Sequence, residues 1–223
     1  MPLKFAIFDF DMTLIDSIVP LMTSANLLAK EFGLREVTYE EVYQAEVSAP
    51  NCTFESLWAD LWGHYEPQWL EAYQDHLNVE EYKAMTLFPT GRETLEALYE
   101  MKVPMGMASN RDNPRKILKY MGLEHFFQAV VGQFDVANAK PDPEMLLKTM
   151  ELMNAAREET LYVCDSTGDL TAAGAAGIKT FAMTTGGHTA DRLRALGAWK
   201  TGERLIEVVD LFQGASKNLS AWK

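Results

Sequence analysis

Pairs of carboxylates follow two apolar segments of this 223-residue chain, at positions where buried strands would end. Asp9 and Asp11 come directly after the first segment, and Asp165 and Asp169 follow a later one. Because ligands of an open α/β sheet bind beyond the carboxyl ends of its strands, we expect these side chains to share one site. Carboxylate oxygens suit a hard divalent cation such as Mg²⁺. The pattern predicts a magnesium site, with one carboxylate left to attack a substrate and one to carry a proton.

A hydroxyl, an amide and an ammonium group are expected at the same edge of the sheet. Ser109 and Asn110 end a second strand-like run, and Lys140 precedes a helix that begins near Pro143. The ammonium and hydroxyl groups can donate hydrogen bonds to the oxygens of a phosphoryl group. Each of these residues alone would suit a turn, a helix cap or an exposed surface. Their combination with the carboxylates indicates chemistry at a phosphate ester.

Short apolar runs alternate with stretches of helical spacing over most of the chain, which is typical of a doubly wound parallel sheet. The predicted strands are 5–8, 103–108, 129–131, 161–163 and 180–183. The run at 180–183 is the last clear strand in the sequence. The polar tail after Leu211 is expected to be frayed.

The segment 17–85 differs from the rest because helical spacing of apolar residues dominates it. It predicts a small helical domain inserted after the first strand. Residues 1–16 and 86–223 are then assigned to an α/β core with a Rossmann-like, doubly wound sheet. The insert is rich in aromatic residues at helical spacing, among them Trp58 and Trp69. We expect most of these rings to form its core rather than a substrate pocket.

The composition excludes several classes of protein. Hydrophobic residues make up 48% and charged residues 23% of the chain, which excludes global disorder. The formal net charge of -12 argues against a nucleic-acid or membrane-surface partner. The two cysteines, Cys52 and Cys164, are too few and too far apart for a disulfide framework or a zinc site. No secretory signal or transmembrane stretch is recognised, so a cytoplasmic location is expected.

Four motifs in order resemble those of the haloacid dehalogenase superfamily, and the likeness extends over nearly the whole chain. The residues that carry it are Asp9-Phe10-Asp11-Met12-Thr13, Ser109-Asn110, Lys140-Pro141 and Asp165-Ser166-x-x-Asp169. The helical insert resembles the C1 cap of the branch that includes phosphoglycolate phosphatase and β-phosphoglucomutase. The resemblance implies an enzyme that hydrolyses phosphomonoesters of small metabolites.

The resemblance also implies a role for each matching residue. Asp9 would be the nucleophile that forms an aspartyl-phosphate, and Asp11 would protonate the leaving group and then activate water. Lys140 would stabilise charge on the phosphoryl oxygens. Mg²⁺ would be held by the Asp9 carboxylate, the Asp11 backbone carbonyl and Asp165, with Asp169 in its outer shell. The expected substrate-binding residues are Thr13, Ser109, Asn110 and Arg111, although Arg111 would suit a surface position equally well.

Two residues depart from the pattern of this branch. Met12 stands where glycine is usual, and we expect it to fit with a negative φ while narrowing the mouth of the site. Cys164 also stands in a usual glycine position, and little effect is expected because cysteine is small and tolerates burial. Asp11 itself favours phosphoryl chemistry, because the dehalogenases of the superfamily lack an acid there.

The choice of substrate is expected to depend on the helical insert. That insert contains only three basic residues, Lys30, Arg35 and Lys83, among many acidic ones. We therefore expect a neutral or cationic leaving group, chosen partly by the loop Ser48–Cys52. An anionic leaving group could instead be bound by Arg92, Arg111 or Arg115. A sugar-phosphate mutase and a non-catalytic module that binds a phosphate ligand remain open as alternatives.

Overall fold

The computed structural model describes residues 1–48, 53–74 and 83–216, and their strands form two sheets. The strands are β1 (Phe5–Phe8), β2 (Ile15–Asp16), β3 (Thr86–Leu87), β4 (Met105–Ala108), β5 (Phe127–Val131), β6 (Thr160–Cys164), β7 (Lys179–Met183) and β8 (Lys200–Gly202). Strands β2 and β3 pair with each other, and the other six form the main sheet. Residues 49–52 of the loop expected to select substrates lie outside the described ranges.

The main sheet has the strand order β5-β4-β1-β6-β7-β8, and all of its neighbouring strands are parallel. After β1 the chain builds one side of the sheet with β4 and β5, and then the other side with β6 to β8. The order therefore reverses between β1 and β6, which is where ligands of such sheets bind. The prediction of a doubly wound α/β fold is confirmed.

The central strands are apolar because helices cover both of their faces. Ala6, Ile7 and Phe8 of β1 are fully buried, and all five residues of β6 are buried. Gly106 on β4 allows a helix to approach closely, since a Cβ there would lie 2.5 Å from the Met153 sulfur. The backbone at the strand ends is thus held inside a packed core.

The chain divides into two compact units. One consists of Met1–Ile15 and the chain from Leu87 onwards, and the other of Asp16–Thr86. The second unit contains helices α1 (Ile18–Phe32), α2 (Tyr39–Ser48), α3 (Phe54–Trp62) and α4 (Pro67–Ala72). Trp58 and Trp69 are buried within this helical unit, as expected of core residues.

In the described part of the chain, six further α-helices belong to the sheet-containing unit. They are α5 (Gly91–Glu100), α6 (Pro114–Tyr120), α7 (Glu144–Met153), α8 (Thr167–Ala176), α9 (Ala190–Ala195) and α10 (Glu207–Ser216). Among the described residues, no helix is long and apolar enough to cross a membrane.

The C-terminal part of the chain contains one strand without a clear sequence signal, and the expectation of a frayed tail after Leu211 was wrong for residues up to 216. The strand at 179–183 is followed by β8, whose short sequence Lys-Thr-Gly has no apolar run that would reveal it. The chain is also not frayed directly after Leu211, because α10 continues to Ser216 and buries Phe212. Packing against the core stabilises this last helix despite its polar surroundings in the sequence.

Candidate active site

Asp9 lies just beyond the end of β1 with its carboxylate held inside the core. Its backbone N–H donates to Val163 O at 2.8 Å, which continues the pairing of β1 with β6. The residue is only 6% exposed, and its Oδ1 accepts a hydrogen bond from Lys140 Nζ at 2.5 Å. Burial raises the pKa of the Asp9 carboxyl to about 7, although the Lys140 charge acts in the opposite direction.

The Lys140 ammonium group lies at the centre of a buried cluster. Besides Asp9, it donates to Asp169 Oδ1 at 2.7 Å and to Tyr162 Oη at 3.0 Å. Burial alone would lower the pKa of Lys140, but the negative charges of Asp169 and Asp9 outweigh it and raise the pKa above its ordinary value. The ammonium is therefore a permanent positive charge beside Asp9.

Asp169 lies in the first turn of α8 as part of a capping box. Ser166 is the N-cap residue, and its Oγ accepts from the Asp169 backbone N–H at 3.1 Å. Asp169 Oδ2 accepts in return from Ser166 N at 3.2 Å and Ser166 Oγ at 2.5 Å. Although burial opposes ionisation, Lys140 and these hydrogen bonds lower the pKa of Asp169. Both oxygens of this carboxylate already accept hydrogen bonds from the protein.

Asp165 follows β6 and faces Asp9 across the point where the strand order reverses. Its Oδ1 accepts from the buried Thr13 hydroxyl at 2.5 Å. Gly186, in the loop after β7, approaches it so closely that a Cβ would lie 2.1 Å from Asp165 Oδ2. Burial, with the charges of Asp9 and Asp169, raises the pKa of Asp165 well above its ordinary value.

The three carboxylates fit a divalent cation. One oxygen from each of Asp9, Asp165 and Asp169 lies within 4.8 Å of the others. The Lys140 ammonium balances one of the three negative charges, and a divalent cation would balance the other two. Asp9 and Asp165 suit direct coordination better than Asp169, whose two oxygens are engaged by Lys140, Tyr162 and Ser166.

Asp11 lies nearer to solvent than Asp9 and is paired with Arg111. Arg111 Nε lies 2.8 Å and 2.9 Å from the two Asp11 carboxylate oxygens, and Arg111 Nη2 lies 2.7 Å from Oδ1. The Asp11 side chain remains 34% exposed and that of Arg111 20%. The Arg111 backbone N–H donates to the buried Ser109 Oγ at 3.2 Å. Arg111 is thus part of the site rather than a distant surface residue.

Asn110 supports the loop that carries Lys140. Its Nδ2 donates to Lys140 O at 3.1 Å, and its Oδ1 accepts from Lys140 N at 3.1 Å. The amide group thereby joins the end of β4 to the Lys140 backbone. Thr13, whose hydroxyl donates to Asp165, is likewise engaged with the protein. For these two predicted substrate-binding residues, the contacts of the side chain are with other site residues.

Met12 does not have the negative φ that was expected. Its φ of 53° places it in the left-handed region, which favours glycine. The turn after Asp11 reverses the chain toward β2, and the Thr185 hydroxyl donates to the Met12 carbonyl oxygen. The turn therefore has the geometry that a glycine would adopt without strain, and the methionine adopts it at a cost.

Comparisons with known proteins identify the family. Residues 6–183 match the sequence profile described as haloacid dehalogenase-like hydrolase. The chain belongs to this family. It is 27% identical over 218 residues to a phosphoglycolate phosphatase of Vibrio parahaemolyticus, covering 94% of this chain and 96% of the relative. The predicted resemblance and the predicted enzyme class, a phosphatase-like hydrolase, are confirmed.

Solved structures of haloacid dehalogenase-like proteins have the same fold. A hydrolase of this family from Bacteroides fragilis has a TM-score of 0.71 and 27% identity, covering 92% of this chain and 99% of that one. A protein from Thermotoga maritima described as a β-phosphoglucomutase has a TM-score of 0.76 and 22% identity, covering 95% and 99%. At 22% identity, the similarity to the Thermotoga maritima protein shows a shared fold only.

Two residues of the site, Tyr162 and Gly186, are not predicted by the sequence motifs. Tyr162 lies within a predicted apolar strand, and the available signal is its hydroxyl, which needs a hydrogen-bond partner when buried. Gly186 lies in the Thr184-Thr185-Gly186-Gly187 stretch, directly after a predicted strand. Its position at the carboxyl edge of the sheet could have indicated a close approach to the site.

Proposed function

We propose that this protein is a Mg²⁺-dependent phosphatase that hydrolyses a small phosphomonoester through an aspartyl-phosphate on Asp9. The observation that carries the proposal is the buried Asp9 carboxylate, whose Oδ1 is held by Lys140 at a strand end. A carboxylate fixed at one oxygen can direct the other at a phosphorus atom. The haloacid dehalogenase-like family, and relatives named phosphatases, support this reaction class.

Asp9 would attack phosphorus, so that its carboxylate forms a new P–O bond while the bond to the leaving-group oxygen breaks. The Lys140 ammonium would hold the Asp9 carboxylate in place and offset negative charge beside the phosphoryl group. The Ser109 hydroxyl lies at the adjacent strand end and would donate a hydrogen bond to a phosphoryl oxygen. These groups are fixed by buried elements, so little reorganisation is needed during the reaction.

Asp11 would donate a proton to the leaving-group oxygen and later remove one from the water that hydrolyses the aspartyl-phosphate. Its greater exposure suits this role, because both the leaving group and the water arrive from solvent. Arg111 would orient the Asp11 carboxylate through the bonds from Nε and Nη2. It also places a positive charge where a leaving group would lie.

The residues that would hold Mg²⁺ are Asp9 and Asp165, with Asp169 supporting the site through Lys140. When bound, Mg²⁺ would supply positive charge that offsets the repulsion between an anionic nucleophile and an anionic phosphate. Thr13 would keep Asp165 oriented through its hydrogen bond to Oδ1.

We further propose that the helical unit acts as a cap that selects the leaving group, and that the substrate is a cytoplasmic phosphorylated metabolite. The excess of acidic residues in this unit supports a neutral or cationic leaving group. Arg111 and the relatives named phosphoglycolate phosphatase support an anionic one. A panel containing phosphoglycolate, phosphoethanolamine and glycerol phosphate would separate these possibilities by relative kcat/KM. Isomerisation of a hexose phosphate without phosphate release would instead indicate a mutase.

The reaction class can be tested with p-nitrophenyl phosphate. The wild-type protein should release phosphate with Mg²⁺ and lose activity in excess EDTA. Asp9→Asn should remove turnover almost entirely, because an amide does not attack phosphorus. Full activity in EDTA would contradict the metal assignment, and an active Asp9→Asn variant would contradict the nucleophile. Absence of phosphate release from every ester tested would favour a non-catalytic binding module.

A further inference from the structure

Tyr162 brings a hydroxyl group into the centre of the site, although it belongs to no motif. The residue is fully buried in β6, between Leu161 and Val163. Its Oη lies 3.0 Å from Lys140 Nζ and donates to Asp169 Oδ1 at 2.7 Å. The ring alone could be supplied by phenylalanine, so the hydroxyl is the feature that needs an explanation.

The Lys140 ammonium group has three hydrogen-bond acceptors within the protein. Its acceptors are Asp9 Oδ1, Asp169 Oδ1 and Tyr162 Oη. Lys140 Nζ, Asp169 Oδ1 and Tyr162 Oη lie 2.7 to 3.0 Å from one another. The Tyr162 hydroxyl therefore bridges the ion pair between Lys140 and Asp169, and it restrains the position from which Lys140 contacts Asp9.

The direction of the Tyr162 hydrogen bonds is also fixed. Burial and the nearby charges of Asp169 and Asp9 raise the pKa of Tyr162 well above its ordinary value, so the hydroxyl keeps its proton. That proton is donated to Asp169, and a lone pair of the oxygen is left to accept from Lys140. The Tyr162 hydroxyl therefore donates a hydrogen bond to the Asp169 carboxylate and accepts one from the Lys140 ammonium.

We propose that Tyr162 is a positioning residue for phosphoryl transfer, whose hydroxyl holds the Lys140 ammonium against Oδ1 of Asp9. The inference rests on the proposed phosphatase function. The hydrogen bonds of the Tyr162 hydroxyl are made with Lys140 and Asp169, so it acts on Asp9 through these two residues. Without the hydroxyl, Lys140 loses one of its three acceptors and Asp169 loses a donor, so we expect the ion pair between them to reorient. Asp9 is then held less precisely for attack.

The kinetic test compares Tyr162→Phe with Thr160→Val. Thr160 is buried on the same strand and donates its hydroxyl to Ala156 O at 2.7 Å, outside the site. Both variants lose one buried hydroxyl, which makes two hydrogen bonds in Tyr162 and one in Thr160. Tyr162→Phe should lower kcat about tenfold or more with KM changed less than about threefold, and Thr160→Val should leave both within about twofold. The loss in Tyr162→Phe should be similar for aryl and alkyl phosphates, because the hydroxyl does not serve the proton donor.

An active wild-type enzyme with unchanged kcat in Tyr162→Phe would overturn the inference and leave the proposed function intact. The same holds if Thr160→Val loses as much activity as Tyr162→Phe, because the effect would then be general loss of stability. Failure of the wild-type protein to hydrolyse any phosphate ester would instead contradict the proposed function.

A second measurement does not depend on activity. In wild-type protein labelled with ¹⁵N-lysine, the buried Lys140 ammonium with three acceptors should exchange its protons slowly and give a resolved signal. The signal is identified by its loss in Lys140→Arg. It should persist in Thr160→Val and shift or disappear in Tyr162→Phe. Absence of a slowly exchanging ammonium in the wild-type protein, or an unchanged signal in Tyr162→Phe, would overturn the inference.

Discussion

Asp9 and Asp11 are two residues apart, yet their surroundings differ in ways that suit different roles. Asp9 is buried and contacts the Lys140 ammonium, whereas the Asp11 side chain is partly exposed and contacts the Arg111 guanidinium. A nucleophile benefits from a fixed orientation, and a proton carrier needs access to the leaving group and to water. The environment of each carboxylate, rather than its chemical type, distinguishes the two proposed roles.

Replacing Asp11 by Asn should lower kcat about a hundredfold for alkyl phosphates, which is typical of losing a general acid. The loss should be smaller for p-nitrophenyl phosphate, because nitrophenolate leaves without a proton. Asp191→Asn is a matched control, since Asp191 pairs with Arg194 but its side chain is 96% exposed. Equal losses for aryl and alkyl esters would contradict the proton-donor role of Asp11.

The left-handed backbone of Met12 can be tested by stability alone. Met12→Gly and Met12→Ala both remove the side chain beyond Cβ, but only glycine, which has no Cβ, adopts a φ of 53° without strain. Met12→Gly should therefore be more stable than Met12→Ala by about 1 kcal/mol in the free energy of unfolding. Urea denaturation of both variants measures this difference. A Met12→Ala variant as stable as Met12→Gly would show that the turn does not hold this conformation in solution.

At the scale of elements, the site is an assembly of strand ends and the loops that follow them. Short apolar runs identified the four central strands, and the reactive residues directly after them were recognisable because parallel strands end at one edge. The contacts between those residues could not be predicted. Asn110 holds the backbone of Lys140, which is 30 residues away in the sequence. Arg111 pairs with Asp11, which is 100 residues away. Both contacts depend on how distant parts of the chain are placed by folding. Strand β8 lacked any apolar signal, since its three residues are Lys, Thr and Gly.

The loop after β7 should control how Asp165 is placed. A Cβ at Gly186 would lie 2.1 Å from Asp165 Oδ2, so Gly186→Ala must displace the carboxylate or the loop. We expect the apparent affinity for Mg²⁺, measured from the metal dependence of kcat, to fall about tenfold or more. Gly174→Ala is the control, because its Cβ would meet nothing within 4 Å in α8. An unchanged metal dependence in Gly186→Ala would argue against Asp165 as a ligand.

For the whole molecule, the site lowers the free energy of unfolding when no metal is bound. Folding buries the carboxylates of Asp9, Asp165 and Asp169 together, with Lys140 as a partner for two of them. Burial of like charges is unfavourable, and the raised pKa values of Asp9 and Asp165 express this cost. The packed sheet on which these strand ends lie must offset it.

This cost predicts how the stability of the metal-free protein depends on pH. The pKa of Asp9 is about 7 in the folded protein, against an ordinary value of 3.8. Between these values the folded state binds more protons than the unfolded state, so the free energy of unfolding falls as pH rises. Asp9→Asn does not have this titration. In EDTA it should be at least as stable as the wild type, with an advantage that grows by roughly 1 kcal/mol per pH unit between about pH 4 and 7 and then levels off. Denaturant unfolding of both proteins across this range measures the difference. An advantage that stays constant or shrinks as pH rises would mean that the Asp9 carboxyl is not held in its neutral form by burial.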